Sequence, residues 1–464
     1  MNEKAWEMPI ESFTIKGLHG YKDISIEFAG KATVIVAENG SGKTTLLNAL
    51  NAFLTRRFHR LSSLAFSSIE CKFKGEPYPL VFEKAKLDGG EENWGDSLRQ
   101  LAEESRMPDG ELLDFLQNTY EPGQFIQFQH NSVVRQVYLK TNLDLTGVEK
   151  ALDDLYSKIN RSFSVEVKAI SSEIRRVLTD VEVVYLPTYR RIERPLLRTK
   201  RSREGRPLPG RNDHSLRSYD DMAFGLADVQ ERLVELSEEI ERSSNLEYRS
   251  LSAKILHEML KGSAQKESVR TEDLPDIDSL SRFLGRVGRN VEDVFQDIGK
   301  LYKSGEIEAN DNWFLRYFLS RLGRVIEKTK EMELKVERFV TVCNSYLKLS
   351  SDEKLLTFDP QTLRVVVQDQ WANRPISLDD LSSGEKQIIS LMARLYLSDK
   401  QKIVLIDEPE LSLSLDWQRK VLPDIIKSEM VVQLLAITHS PFIFENELDS
   451  CARSLKIQRS EANQ

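Results

Sequence analysis

Cysteine is nearly absent. Cys71, Cys343 and Cys451 stand far apart in 464 residues and form no CxxC pair. That excludes a disulfide framework and a thiolate zinc site, and it fits a reducing cytoplasm. Long apolar runs are missing too: nothing approaches the ~20 residues that span a bilayer. The N-terminal MNEKAWEMPIES has no apolar core of a signal peptide, so a cytoplasmic location without membrane contact is expected. Nor is there an excess of positive charge. Net charge is −8, so any contact with nucleic acid must come from a local patch. What remains is 40% hydrophobic and 30% charged, a globular, helix-rich chain too long for one ordinary core.

Residues 10–16 and 24–28 alternate like paired strands around a turn-like KGLHGYKD, and 32–36 reads as a strand feeding a glycine loop and a helix from about Thr44 to Leu54. Segments 68–74 and 79–86 read as a hairpin, and helical spacing covers 97–117 and 148–177. VEVVYLPTYRRIE, residues 181–193, is an apolar strand ending in an unusual Pro-Tyr-Arg-Arg turn. Residues 189–217 carry ten Arg and Lys among few acids. A Pro/Gly-broken solvated loop is the first reading of that segment; contact with nucleic-acid phosphates is the second. From about Asp221 to Leu349 helical periodicity dominates, with heptads too imperfect for a long coiled coil. Strand character returns after 350 in LLTFDP, LRVVVQ, KIVLIDEPE and VVQLLAITHSP. The expected organisation is α/β: a mixed β-sheet flanked by helices, split by a largely helical insertion. Its parts are 1–193, a basic loop and helical arm over 194–349, and 350–464.

The stretch AENGSGKT, 37–44, fits a phosphate loop except that Ala37 stands where glycine is usual. Asn39, Gly40, Ser41 and Gly42 would turn backbone N–H groups toward phosphates, with Lys43, Thr44 and Thr45 opening the helix. Lys43 supplies a full charge to the phosphates, and the Thr44 hydroxyl would ligate Mg²⁺. ATP and Mg²⁺ are the expected cofactors. IVLIDEPE, 403–410, is a buried strand with acids only at its C-terminal end, the ligand edge of a parallel sheet. Asp407 is placed to hold Mg²⁺, and Glu408 to orient the attacking water. In LDDLSSGEKQIISLMARLYL, Ser382-Ser383-Gly384-Glu385 opens an apolar helix. Alone, Ser382 is a helix cap; with the other motifs, the turn reads as an ABC-type signature that completes the nucleotide site of an opposing subunit. His439 ends another apolar strand as a switch histidine. LSLSLDWQ, with Ser412 and Ser414, lies where a dimer-contacting loop belongs. Gln127 and Gln129 in FIQFQHN are the candidates for a metal-facing glutamine, each read first as an ordinary strand residue.

Phosphate loop, long insertion, signature, acidic strand and histidine, in that order, resemble the ABC-type ATPases of the SMC, RecF and OLD group. DEPELSLSLDWQRKVLPDII and THSPFI are most similar to the OLD-like branch. VVYLPTYRRIE with LSSGEKQ resembles the PtuA-like ATPases of Septu antiphage systems and their retron-encoded relatives. The resemblance covers about 8–60, 180–193 and 350–450. It implies a homodimer of heads or a higher oligomer, an HNH-type nuclease partner encoded by a neighbouring gene, and, as the second reading of 189–217, phage DNA or a retron RNA/DNA as the nucleic acid contacted. OLD-like proteins often carry histidine at the Ser414 position and continue into a nuclease domain; the segment after THSPFI is short and holds no paired-acid cluster, so no nuclease site of its own is expected. A RecF-like ATPase acting directly on DNA is the alternative.

Overall fold

The computed structural model describes residues 8–37, 40–86, 94–118, 120, 122, 125–128, 131–141, 143–162, 164–186, 226–261, 274–287, 292–350, 353–411 and 413–459. Two compact units divide the chain, Met1–Ala223 with Lys400–Gln464, and Phe224–Asp399. Residues 350–399, assigned from sequence to the C-terminal part of the head, lie in the second unit. The basic segment 189–217 lies outside the described residues.

The first unit is built on two five-stranded sheets. One is wholly parallel, in the order β12 (Ala452–Ser454), β3 (Ala32–Val36), β11 (Val431–Thr438), β10 (Gln401–Asp407), β6 (Val181–Leu186). The other is antiparallel: β13 (Lys456–Arg459), β2 (Lys22–Glu27), β1 (Ile10–Leu18), β4 (Ser68–Phe73), β5 (Leu80–Glu83). β10 and β11 are buried at nearly every position, the signature of strands covered on both faces. β1 instead alternates, its Phe13 and Ile15 facing inward.

Helix α1 (Lys43–Leu54) buries Leu46, Leu50 and Phe53 in the core it shares with both sheets. Phe53 packs edge-on against Phe58 and Phe82. Gln433 is the one polar side chain in the middle of β11. It is fully buried, accepting from the Ile10 N–H at 3.1 Å and donating to the Ile10 carbonyl at 2.7 Å. The two hydrogen bonds tie the sheets together and leave neither polar group unsatisfied.

Within the same unit, α2 (Gly95–Ser105), α3 (Asp109–Asn118), α4 (Phe125–Phe128), α5 (Ser132–Lys140) and α6 (Leu145–Ser162) form a cluster with its own core of Leu98, Leu112, Leu116, Val134 and Leu152. The helix expected over 97–117 is broken before Asp109, where Pro108 cannot continue α2. The helix expected over 148–177 is two. Ser164 caps a new one, α7 (Val165–Val177), by accepting from the Val167 N–H at 3.2 Å.

In the second unit α8 (Leu226–Leu260) and α11 (Trp313–Leu347), each 35 residues and about 50 Å long, pack along one another with α9 (Ile277–Val287) and α10 (Glu292–Ser304). A three-stranded antiparallel sheet, β7 (Lys354–Asp359), β8 (Arg364–Asp369) and β9 (Arg374–Ile376), follows, then α12 (Ser383–Tyr396).

Candidate functional site

Parallel pairing decides which residues meet. Val36 is opposite Thr438, and Asp407 is opposite Ile437. The loops leaving β3, β10 and β11 therefore emerge side by side at the C-terminal edge of the sheet.

The loop after β3 turns into α1 through Gly40 (φ 77°) and Gly42 (φ 99°), both in the left-handed region that glycine adopts without cost. Gly42 is the N-cap of α1, and a Cβ on it would lie 2.9 Å from Ile24 Cδ1. Glu38 and Asn39 lie outside the described residues. Lys43 is 6% exposed and donates to the Ala37 carbonyl at 3.0 Å. Burial lowers its ammonium below the usual range, and Glu408, Asp407 and Glu410 oppose part of that drop. Its ammonium also meets His439 Nε2. An ammonium only donates, so Nε2 can accept from it only in the tautomer protonated at Nδ1.

Thr44 Oγ1 donates to Asp407 Oδ2 at 2.8 Å. Asp407 is 1% exposed, and its Oδ1 has no hydrogen-bond partner among the described residues. Burial raises the Asp407 carboxyl above its ordinary range, against the Thr44 hydrogen bond and Lys43. An orphaned, buried carboxylate oxygen beside a threonine hydroxyl is a hard oxygen donor set, and it fits Mg²⁺.

Glu408 stands at φ 52°, a left-handed conformation that costs a non-glycine residue ~1 kcal/mol or more. Its N–H donates to the Ile437 carbonyl at 2.8 Å, and its carboxylate lies 3.9 Å from His439 Nε2. The strand end is thus twisted so that Asp407 faces Thr44 while Glu408 faces the histidine.

Three further residues hold this arrangement, and sequence reasoning passed over all of them. Glu410 accepts from Thr438 Oγ1 at 2.8 Å, from the His439 N–H at 2.8 Å and from the Ser440 N–H at 3.3 Å. Gln418, on α13 (Leu415–Lys427), accepts from Ser440 Oγ at 2.8 Å and donates to the Leu413 carbonyl at 3.0 Å. The histidine loop is therefore hung on the acidic strand end by Glu410 and on the following loop by Gln418. Lys22 is 8% exposed and donates to the Ser41 carbonyl from beneath the phosphate loop. Its signal was legible: it shares the inward phase of Ile24 and Ile26 on β2.

Of the remaining sequence candidates, Thr45 lies in the first turn of α1. Ser414 is the N-cap of α13 without a side-chain capping bond; Ser412 lies outside the described residues. Gln127 belongs to α4, in the helical cluster, and not to a strand as expected. Gln129 lies outside the described residues.

The Ser382 turn belongs to the second unit. Ser382 Oγ accepts from the Glu385 N–H at 3.4 Å and Glu385 Oε2 accepts from the Ser382 N–H at 2.7 Å, a reciprocal capping box. Ser382 and Ser383 are exposed, whereas Glu385 is 1% exposed and also accepts from Lys354 at 3.3 Å and Ser350 at 3.2 Å. Burial alone would raise the Glu385 carboxyl; the Ser382 and Lys354 contacts outweigh it and hold it below the usual range.

Glycine loop, lysine, threonine–aspartate pair, glutamate and histidine on one parallel-sheet edge make this a phosphate-loop ATPase. A family comparison agrees. The AAA ATPase domain model matches residues 8–444, and the chain belongs to that family. Nucleotide binding comes with it. The chain is 38% identical over 81 residues to the Retron Ec83 probable ATPase of Escherichia coli, a match that spans 15% of this chain and 15% of that relative. A crystal structure of the Smc head domain with an extended coiled coil bound to the C-terminal domain of ScpA, from Pyrococcus furiosus, aligns over 97% of this chain and 96% of its own at 14% identity. The TM-score of that alignment is 0.35. No described helix is long and apolar enough to cross a membrane.

Proposed function

We propose that the chain is an ABC-type ATPase whose heads pair face to face, each lending its Ser382–Glu385 turn to the triphosphate held by its partner. The observation that carries this reading is the pairing of Thr44 with the orphaned Asp407 carboxylate beside a strained Glu408. Lys43 would bind the β- and γ-phosphates, and Thr44 with Asp407 would hold Mg²⁺. When bound, that ion neutralises charge on the two phosphates. Glu408 would orient the attacking water, and the γ-phosphate would take the place of Lys43 as the group facing His439.

Such an ATPase acts through a partner. The retron relative supports a role in antiphage defence, with an HNH-type nuclease gated by the nucleotide state of the heads. The test has two arms. Glu408→Gln should bind ATP, hydrolyse it slowly and accumulate as dimers by light scattering; wild-type turnover would remove the assigned role. Reconstitution with the neighbouring gene product should give nuclease activity that changes across ATP concentrations, and flat activity would reject the gating. The RecF-like alternative predicts instead that duplex DNA stimulates hydrolysis by the protein alone.

A further inference from the structure

A cleft of about 370 Å³ opens in the first unit, at the far end of α1 from Lys43. α1 has 12 residues, so the two sites stand roughly 18 Å apart along it. The rim of the cleft is basic: Arg56, Lys168 and Arg175, joined by the hydroxyls of Ser171 and Ser172. Its floor is apolar, from Phe58, Leu116, Ile159 and Val167 with the Tyr156 ring at the side. No carboxylate is among these lining residues. In a chain of net charge −8 that concentration of cations is a local reversal of sign.

The cations are sorted rather than scattered. Lys168, Ser171, Ser172 and Arg175 follow the i, i+3, i+4, i+7 spacing, so α7 turns one face to the cleft. Arg176, the next residue, is bound instead to Glu173 and Glu76. Lys168 and Arg175 have no ion-pair partner among the described residues. Arg56 adds a second observation. It sits just past the end of α1 at φ 61°, its N–H on the Phe53 carbonyl at 3.1 Å. Glycine is the residue that closes a helix this way without cost, yet arginine stands there, and its side chain lines the cleft.

We propose that this cleft binds a phosphate monoester carried on a flat ring, that is, the 5′-phosphate end of a nucleotide. Two cations, Lys168 and Arg175, and two hydroxyls suit a dianionic phosphate, and an arginine can meet it with two parallel hydrogen bonds. The apolar floor and Tyr156 suit the ring, since aromatic faces stack on bases of any sequence. The volume is that of a small-ligand pocket. The ligand comes either free or as the end of a single strand, and both carry the same recognised group. The site is separate from the triphosphate site and does not depend on the pairing of heads.

The experiment uses full-length Lys43→Ala protein, which silences the triphosphate site, and calorimetric titration with four probes: inorganic phosphate, AMP, a 5′-phosphorylated thymidine hexanucleotide and the same strand without the phosphate. AMP, the phosphorylated strand or both should bind below about 1 mM, and the two ring-free or phosphate-free probes at least about tenfold more weakly. Lys168→Glu with Arg175→Glu should weaken that binding about tenfold or more, and Lys168→Gln with Arg175→Gln by less, with the far-UV spectrum and ATP turnover of the otherwise wild-type protein retained. AMP binding more tightly than the strand identifies a free nucleotide, and the reverse identifies a strand end. Failure of both phosphorylated probes to bind, equal affinity for the unphosphorylated strand, or unchanged affinity in the charge-reversed protein would overturn the assignment.

Discussion

Glu410→Ala is the sharpest perturbation of the site, because it touches neither the phosphates nor the metal-facing oxygens. The Glu410 carboxylate accepts three hydrogen bonds, at 2.8, 2.8 and 3.3 Å, from Thr438, His439 and Ser440. Two of the donors are backbone N–H groups of the histidine loop. Loss of a partner for such a group, half-open to water as here, costs about 1 kcal/mol each. A total of about 2–3 kcal/mol would fall on the loop that carries His439. If productive turnover requires that loop in place, kcat drops about fiftyfold, while ATP affinity, set by Lys43 and the glycine loop, stays within about threefold. Glu410→Gln separates hydrogen bonding from charge, which also acts on Lys43. Its amide oxygen still accepts from the two N–H groups and its NH₂ can donate to Thr438, so only charge assistance is lost and kcat falls about fivefold. Steady-state hydrolysis and equilibrium binding of a non-hydrolysable ATP analogue measure the two quantities. An alanine variant with wild-type kcat, or one whose lost activity is matched by lost affinity, would refute the reasoning.

Lys43→Ala removes the one full charge aimed at the phosphates, and ATP affinity should fall by about a hundredfold or more in the same binding assay. Asp407→Asn should abolish Mg²⁺-dependent hydrolysis but stabilise the nucleotide-free protein. The sign follows from the raised Asp407 carboxyl: wild-type stability is higher below the ordinary carboxylate range and declines as pH rises through the raised value, a decline that urea unfolding of the variant should lack. Glu385 has the opposite sign. Its carboxyl is held low, so its contribution is present at neutral pH and lost as pH falls from the ordinary glutamate range to the depressed value. Glu385→Gln should therefore cost about 2 kcal/mol near pH 7 by urea unfolding, and progressively less in acid.

The motifs were legible because each couples a local backbone requirement to a chemistry. Gly40 and Gly42 announce positive φ, and Asp407 announces itself as the first charge after a run of buried aliphatics. Strand ends could be read for the same reason, since β10 and β11 change abruptly from apolar to polar. What stayed hidden depends on register across long separations. Glu410 is an ordinary acid until Ser440 arrives beside it, 30 residues later. Gln418 is an ordinary helix residue until the same loop arrives. Gln127 misled for a related reason: aromatic alternation in FIQFQ imitates a strand, but tertiary packing against Phe115 and Tyr120 holds the segment as a short helix. Proline and serine broke two expected helices at positions whose chemistry was visible and whose tolerance was not.

The starts of α1 and α12 are unequal, and the inequality bears on how each could meet a phosphate. α1 begins with two left-handed glycines, a buried lysine and a hydroxyl paired with a carboxylate, everything a metal–triphosphate requires. α12 begins with a serine cap, and its first turn carries Glu385 and Lys386 where α1 has a buried lysine and a metal-facing threonine. Its capping box satisfies the Glu385 N–H and leaves those of Ser383 and Gly384 without an intrahelical acceptor, at the positive end of the helix dipole. The acid inside the turn, Glu385, is turned inward onto Lys354, so it does not repel an anion approaching from outside. Such a start can accept part of a phosphate already neutralised elsewhere. A turn built that way is suited to finish a site that another helix begins.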